Sequence, residues 1–212
     1  MTTLSLALKQ LPRTSWARLV SDVFSPPVIW IALSLTVAVI HTPDGGQAIR
    51  WAAIYSLLIC VAPTLFVVFM VWRGKIGDIH MKERRERIVP LLLTMGGALF
   101  AFLLLWELKA PPALPLLAFI SLVQIIIMTL ITLAWQISMH AMGITGAAMA
   151  IGMMFNLALA LLCVPLIVLV GAARLHLQRH TPAQVLAGTL VGALVPVLVV
   201  LGLALGLKVV AL

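Results

Sequence analysis

Residues 113–135 read ALPLLAFISLVQIIIMTLITLAW and contain no charged side chain. A helix needs about 20 consecutive apolar residues to cross the hydrocarbon core of a bilayer, so this stretch predicts a membrane span. The remaining apolar runs lie at 25–41, 51–72, 90–106, 141–155, 157–172 and 183–210. We separate the runs 141–155 and 157–172 near Asn156, because a single helix over both would be far longer than the bilayer core. The sequence therefore predicts an all-α, polytopic transmembrane helix bundle of six to seven spans.

The composition of the chain supports this fold class. Of 212 residues, 63% are hydrophobic and 9% are charged, whereas about 25% are charged in a soluble domain. This excludes a water-soluble enzyme, a disordered tail and a disulfide scaffold. Cys60 and Cys163 lie inside apolar runs, and no Cys or His spacing suits a metal site. We predict a multi-pass integral membrane protein, in a bacterial or archaeal plasma membrane, without a metal or another cofactor.

The domain organisation follows from where the apolar runs begin. Residues 1–22 combine basic side chains with leucines at helical spacing, so we expect an interfacial N-terminal segment on the membrane surface. Residues 23–212 are predicted to form a single transmembrane domain.

Basic residues outnumber acidic ones, with 14 Lys and Arg against 6 Asp and Glu. In an apolar chain this excess favours membrane lipids and phosphorylated ligands as partners. Nucleic acid is not expected, because the few aromatic residues do not alternate with the basic ones. A homo-oligomer is left open. Most basic residues fall on one side of the seven-segment topology, and only Arg50, Lys109 and Lys208 fall on the other. The positive-inside rule makes the first side cytoplasmic.

Three polar clusters interrupt the apolar runs: 73–90 (RGKIGDIHMKERRERIVP), 136–140 (QISMH) and 174–184 (RLHLQRHTPAQ). An even number of predicted spans separates each cluster from the next. All three should therefore emerge on one face of the membrane, where they can form a single site.

The order and spacing of these clusters resemble those of the type-2 phosphatidic acid phosphatase family, whose motifs are K-x6-R-P, P-S-x-H and S-R-x5-H-x3-D. The third cluster matches with Arg174, His180 and Gln184, although Gln184 stands where the family has aspartate. The second cluster keeps Ser138 and His140. The resemblance covers residues 82–192.

The first cluster matches the family less closely. Lys82 and Pro90 keep their places, but Val89 replaces the motif arginine. Arg87 is the candidate to take over its role. Asp78 and His80 have no counterpart in the motif.

The resemblance implies metal-independent hydrolysis of a lipid phosphomonoester or diphosphate, such as phosphatidic acid, an isoprenyl phosphate or diphosphate, or a phosphatidylglycerol phosphate. It implies that His180 is a nucleophile that forms a phosphohistidine, and that His140 is the general acid. Gln184 would hold the His180 tautomer without supplying negative charge. The implied phosphate-binding residues are Lys82, Arg87, Ser138 and Arg174.

Alternatives remain for several of these residues. Thr181 and Gln184 have the spacing of a helix capping box, and Glu83 could pair with Arg87 at i, i+4 on a solvated surface. A non-catalytic lipid-phosphate binder or transporter is the second functional hypothesis, because Gln184 and Val89 depart from the catalytic pattern. A metal-dependent prenyl- or phosphotransferase is disfavoured, because such sites need clustered carboxylates.

Overall fold

The computed structural model describes residues 15–79, 81 and 83–210, and this part of the chain contains helices and turns but no strand. The helices are α1 (Trp16–Val23), α2 (Pro26–His41), α3 (Gly45–Trp72), α4 (Ile88–Glu107), α5 (Ala113–Ala134), α6 (Met139–Met154), α7 (Leu157–His176) and α8 (Pro182–Val210). The predicted all-α polytopic bundle is confirmed, and each predicted apolar run forms a helix.

Five of these helices, α3, α4, α5, α7 and α8, are long and apolar enough to cross a membrane. The pair α1 and α2, bent by 43° at residues 24–25, supplies a sixth if it is counted as one span. Helix α6 has 16 residues, or about 24 Å, which is short for a ~30 Å hydrocarbon core. The protein is thus a multi-pass membrane protein with five to six spans by length, which agrees with the predicted six to seven only at six.

Several helices begin at the polar residues that the sequence places there. The predicted break near Asn156 is confirmed, because α6 ends at Met154 and the Asn156 side chain accepts a hydrogen bond from the Ala158 N–H at 2.7 Å. Ser138 caps α6 through the Ala141 N–H at 3.3 Å. These side chains satisfy N–H groups that a helix start leaves unpaired.

Helices α6 and α8 pack closely over much of their length. Gly188 and Gly192 lie four residues apart on α8, and small residues at this spacing allow two transmembrane helices to approach. A Cβ atom at Gly188 would lie 2.5 Å from the Ser138 carbonyl oxygen. The Ser138 N–H donates to the Gln184 carbonyl at 3.0 Å. The starts of α6 and α8 are therefore held together, which places the second and third polar clusters side by side.

Helix α1 packs against the C-terminal end of α7, with the Trp16 and His176 rings 5.3 Å apart. Ser21 is buried in this contact, whereas Leu19 and Val23 are exposed. The first 14 residues of the predicted interfacial segment, with Leu4, Leu8 and Leu11, lie outside the described residues. The surface position of residues 1–22 and the single-domain organisation of 23–212 stay predictions.

Candidate functional site

A cavity of ≈ 430 Å³ lies where the three polar clusters meet. Its charged and histidine lining is Asp22, Arg87, His140, Arg174 and His180. Ligand cavities in proteins commonly measure about 300–1,000 Å³. We call this space the amphiphilic cavity, because the rest of its lining is mostly apolar.

The apolar walls come from five helices: α2 and α6 contribute Pro26, Trp30 and Met142 among others, and α3, α4 and α5 each contribute a regular face. Helix α5 contributes Ser121, Gln124, Ile125 and Met128, and the turn before α4 together with α4 contributes Arg87, Pro90, Leu91 and Thr94. Both sets follow i, i+3, i+4, i+7, which is one face of a helix over about 10 Å. Helix α3 adds residues at 59–60, 63–64 and 67–68. The cavity thus runs along the helices, away from the charged residues at one end.

The wall formed by α3 also reaches the outside of the bundle. Thr64 and Val68 line the cavity and are exposed on the protein surface. Residues 62–72 of α3 pack mainly on α4 and diverge from α2. The α3 wall of the amphiphilic cavity is therefore partly exposed.

Arg87, the candidate to take over the role of the motif arginine, lines the cavity. Its side chain is 2% exposed, and its guanidinium donates to the carbonyls of Met81 at 3.0 Å and Ile137 at 3.3 Å. It does not pair with Glu83, so the solvated ion pair considered for this loop is not formed. Val89, at the motif position, is 53% exposed and is absent from the cavity lining.

Arg174 is the second buried cation, also 2% exposed. Its Nη1 donates to the Ser21 hydroxyl at 3.3 Å, while its buried Nε has no hydrogen-bond partner. Within residues 15–79, 81 and 83–210, neither Arg174 nor Arg87 forms an ion pair with a carboxylate. Asp22 and Asp78 act on Arg174 electrostatically, and Glu86 acts on Arg87, but without ion-pair contact. Two buried guanidinium groups in this state are costly, and an anion bound between them would lower that cost.

His180 is 8% exposed and lines the same end of the cavity. Its Nδ1 lies 3.2 Å from Oε1 of Gln184. Because an amide oxygen can only accept, Nδ1 carries the proton and Nε2 keeps its lone pair. Burial, aided by the positive charges of Arg87, Arg174 and Arg179 and opposed by the Gln184 hydrogen bond, lowers the pKa of His180 from 6.5 to about 4. The imidazole is therefore neutral at physiological pH.

Gln184 makes both contacts considered for it, one with His180 and one within the capping box. Its Oε1 also accepts from the Thr181 N–H at 3.0 Å, and its own N–H donates to the Thr181 hydroxyl at 3.3 Å. This reciprocal pair is the predicted capping box at the start of α8. The cap fixes the Gln184 side chain, and Gln184 in turn orients His180.

His140 lies at the start of α6, 7% exposed, and faces the cavity. Its Nε2 lies 3.1 Å from the Ser21 carbonyl, so Nε2–H is the donor. Ser138, in contrast, does not line the cavity. Its N–H is bonded to Gln184 and its hydroxyl accepts from Ala141, so it positions α6 against α8 from behind the site.

The loop 73–87 is tied to the third cluster by an ion pair. Arg179 Nη2 and Asp78 Oδ2 lie 2.8 Å apart, which gives Asp78 a place that the sequence motif did not explain. Lys82, predicted to bind phosphate, and His80 lie outside the described residues. Arg87, His140, Arg174 and His180 are thus brought together, with Gln184 directly behind them.

Sequence reasoning missed the contribution of α1. Asp22 lines the cavity, and Ser21 contacts both His140 and Arg174. The available signal was Asp22 itself, one of six acidic residues and placed directly before an apolar run. An acidic residue at a membrane boundary is a reason to expect a functional contact.

In the described part of the chain, no group of three or more His, Cys, Asp and Glu is placed to hold a metal ion. No family model, curated protein or solved structure matches the chain.

Proposed function

We propose that the protein is an integral-membrane lipid phosphate phosphatase that works through a phosphohistidine. The observation that carries the proposal is the pair of buried arginines, Arg87 and Arg174, at the charged end of an otherwise apolar cavity, where neither forms an ion pair with a carboxylate of the described residues. Guanidinium groups grip phosphate oxygens, and apolar walls accept an acyl or isoprenyl chain. In this proposal such a chain enters from the bilayer past the exposed lining residues of α3.

His180 is suited to the role of nucleophile. Its Nδ1–H is held by Gln184, and its depressed pKa keeps the Nε2 lone pair available. In the first step Nε2 bonds to phosphorus and the bond from phosphorus to the lipid oxygen breaks. Arg87 and Arg174 would stabilise the charge on the equatorial oxygens.

His140 would protonate the leaving lipid oxygen. The Ser21 carbonyl holds Nε2–H, so in this proposal the proton would be transferred from the other ring nitrogen, Nδ1. In the second step water attacks the phosphohistidine, its proton returns to His140, and inorganic phosphate is released. The membrane is, in this proposal, the plasma membrane of a bacterium or archaeon.

The test is phosphate release from a panel of phosphatidic acid, isoprenyl phosphates and diphosphates, and phosphatidylglycerol phosphate, with a metal chelator present. We expect release from at least one lipid and its loss in His180→Ala and His140→Ala. His41→Ala is the matched control, because His41 ends α2 and contacts Phe155 at a distance from the cavity. No release from any lipid, or full activity in both histidine variants, would refute the proposal.

The second candidate is a lipid-phosphate binder or transporter, favoured by the neutral amide of Gln184 that contacts Nδ1 of His180. Here the arginines hold the headgroup and no bond breaks. Binding of phosphatidic acid vesicles that is lost in Arg87→Gln and Arg174→Gln, without release of phosphate, would support this function over the first.

A further inference from the structure

A second cavity of ≈ 460 Å³ borders the amphiphilic cavity. Asp22, Ile79 and Arg174 line both cavities and so form the wall between them. The other lining residues of the second cavity are Arg18, Ser21, Asp78, Leu177 and Arg179. We call it the polar vestibule, since six of its eight lining residues are polar or charged.

The vestibule holds three arginines against two aspartates. Asp78 is neutralised by its ion pair with Arg179. Arg18 is exposed and forms no ion pair with a carboxylate in the described part of the chain. Arg174, buried and with an unpartnered Nε, connects the vestibule to the phosphate end of the amphiphilic cavity. Asp22 also lines the vestibule, so the three arginines and two aspartates leave a net charge of +1. Guanidinium groups in a polar cavity, such as those of Arg18 and Arg174, are the donors that tetrahedral oxyanions need.

We propose that the vestibule is a second oxyanion site, which receives inorganic phosphate after the chemical step and releases it to water. The identity of the anion rests on the proposed function. A phosphate that left through the apolar walls would have to lose its hydration. Passage along Arg174 to Arg18 keeps the anion next to a guanidinium throughout.

Inorganic phosphate binding to the purified full chain tests the proposal without turnover. We expect Arg18→Gln to weaken phosphate binding about tenfold, the loss of one charged hydrogen-bond donor. Asp78→Asn should strengthen it about threefold, because it removes a competing anion from Arg179. The matched control is Arg73→Gln, since Arg73 is exposed, lies over the Phe69 ring and does not line the vestibule.

The two variants are expected to change the affinity for phosphate in opposite directions, which a general disturbance of the structure would not do. Weaker binding in both Arg18→Gln and Asp78→Asn, or equal binding in Arg18→Gln and Arg73→Gln, would overturn the proposal. So would an equal loss, in Arg18→Gln, of binding to phosphatidic acid vesicles and to inorganic phosphate, because the vestibule would then hold the lipid headgroup.

Kinetics distinguish this proposal from the phosphatase itself. With an active enzyme, we expect Arg18→Gln to raise the inhibition constant of inorganic phosphate about tenfold and to leave the KM for the lipid unchanged. If no lipid is hydrolysed but Arg18→Gln and Asp78→Asn shift phosphate binding in opposite directions, the vestibule proposal is supported and the phosphatase proposal is refuted. If lipid is hydrolysed and neither variant shifts phosphate binding, the phosphatase proposal is supported and the vestibule proposal is refuted.

Discussion

His180 is held neutral by its surroundings, and this has a measurable consequence. Its pKa is lowered to about 4 in the folded protein, against ~6.5 for an unperturbed histidine. Because the folded protein favours the neutral imidazole, the contribution of His180 to the free energy of unfolding is complete above pH 6.5. It decreases as the pH falls from 6.5 and is lost once the pH has passed below the folded pKa of about 4.

We therefore expect the His180 ring to titrate near pH 4. The measurement is NMR of ring-labelled histidine in detergent, with the signal assigned by its disappearance in His180→Asn. His176, which is exposed beside Trp16, is the internal comparison in the same spectra. A His180 midpoint at or above 6.5 would contradict the buried, cation-flanked environment.

In the proposed mechanism, Gln184 would limit the stabilisation of a phosphohistidine because it carries no charge. Gln184→Glu keeps the side-chain length and the capping box with Thr181, and it places a carboxylate beside Nδ1 of His180. We expect the pKa of His180 to rise and phosphate release to increase about tenfold, since a carboxylate stabilises the imidazolium formed in attack. Gln178→Glu adds the same charge at an exposed position of the same loop and should leave the rate unchanged.

The outcome of this substitution also divides the two candidate functions. Zero release of phosphate from both the parent and Gln184→Glu, with lipid binding intact, would favour the binder. Faster phosphate release in both Gln184→Glu and Gln178→Glu would show that any added negative charge on this loop raises the rate, and that contact with His180 is not required.

Among the elements, the contact of α6 with α8 decides whether the site is assembled. Gly188 lies where a Cβ atom would meet the Ser138 carbonyl at 2.5 Å, and neither backbone can yield without separating the helices. Gly188→Ala should therefore destabilise the protein by about 1–3 kcal/mol through overpacking. Phosphate release should fall with it, because His140 and His180 sit on opposite sides of this contact.

The matched control for the helix contact is Gly202→Ala, on the same helix, where an added Cβ meets nothing within 4 Å. Thermal melting in detergent and phosphate release are both measured. Equal melting temperatures for the two alanine variants would show that the close approach at Gly188 is not needed.

The sequence predicted the elements well because their signals are local. Apolar runs mark the helices, Asn156 marks a break, and Thr181 with Gln184 marks the start of α8. An apolar run does not mark the start of a helix that begins in polar sequence. Helix α3 begins at Gly45, although its apolar run starts at residue 51. The capping carboxylate of Asp44, which accepts from the Gln47 N–H, sets that start.

At the scale of the whole molecule, the site depends on contacts that no local pattern encodes. The Ser21 hydroxyl meets Arg174 across 153 positions of sequence, and Arg87 reaches the carbonyl of Ile137 across 50. Motif spacing could bring His140 and His180 to one face of the membrane. It could not show that α1 closes the site, or that Arg87 points inward while Val89 points outward.

The apolar length of the amphiphilic cavity is the feature that would make the reaction specific for lipids. Ile125 lines it on α5, and Ile125→Trp should fill part of it. We expect turnover of a long-chain lipid phosphate to fall about tenfold, the scale of a lost hydrophobic subsite, and turnover of a water-soluble aryl phosphate to stay unchanged. Ile127→Trp, two residues along α5 and outside the cavity lining, is the control, because two residues turn the side chain to the opposite face of the helix. If Ile125→Trp slowed both substrates equally, the tryptophan would be disturbing the charged end, and the apolar walls would not be where the lipid chain binds.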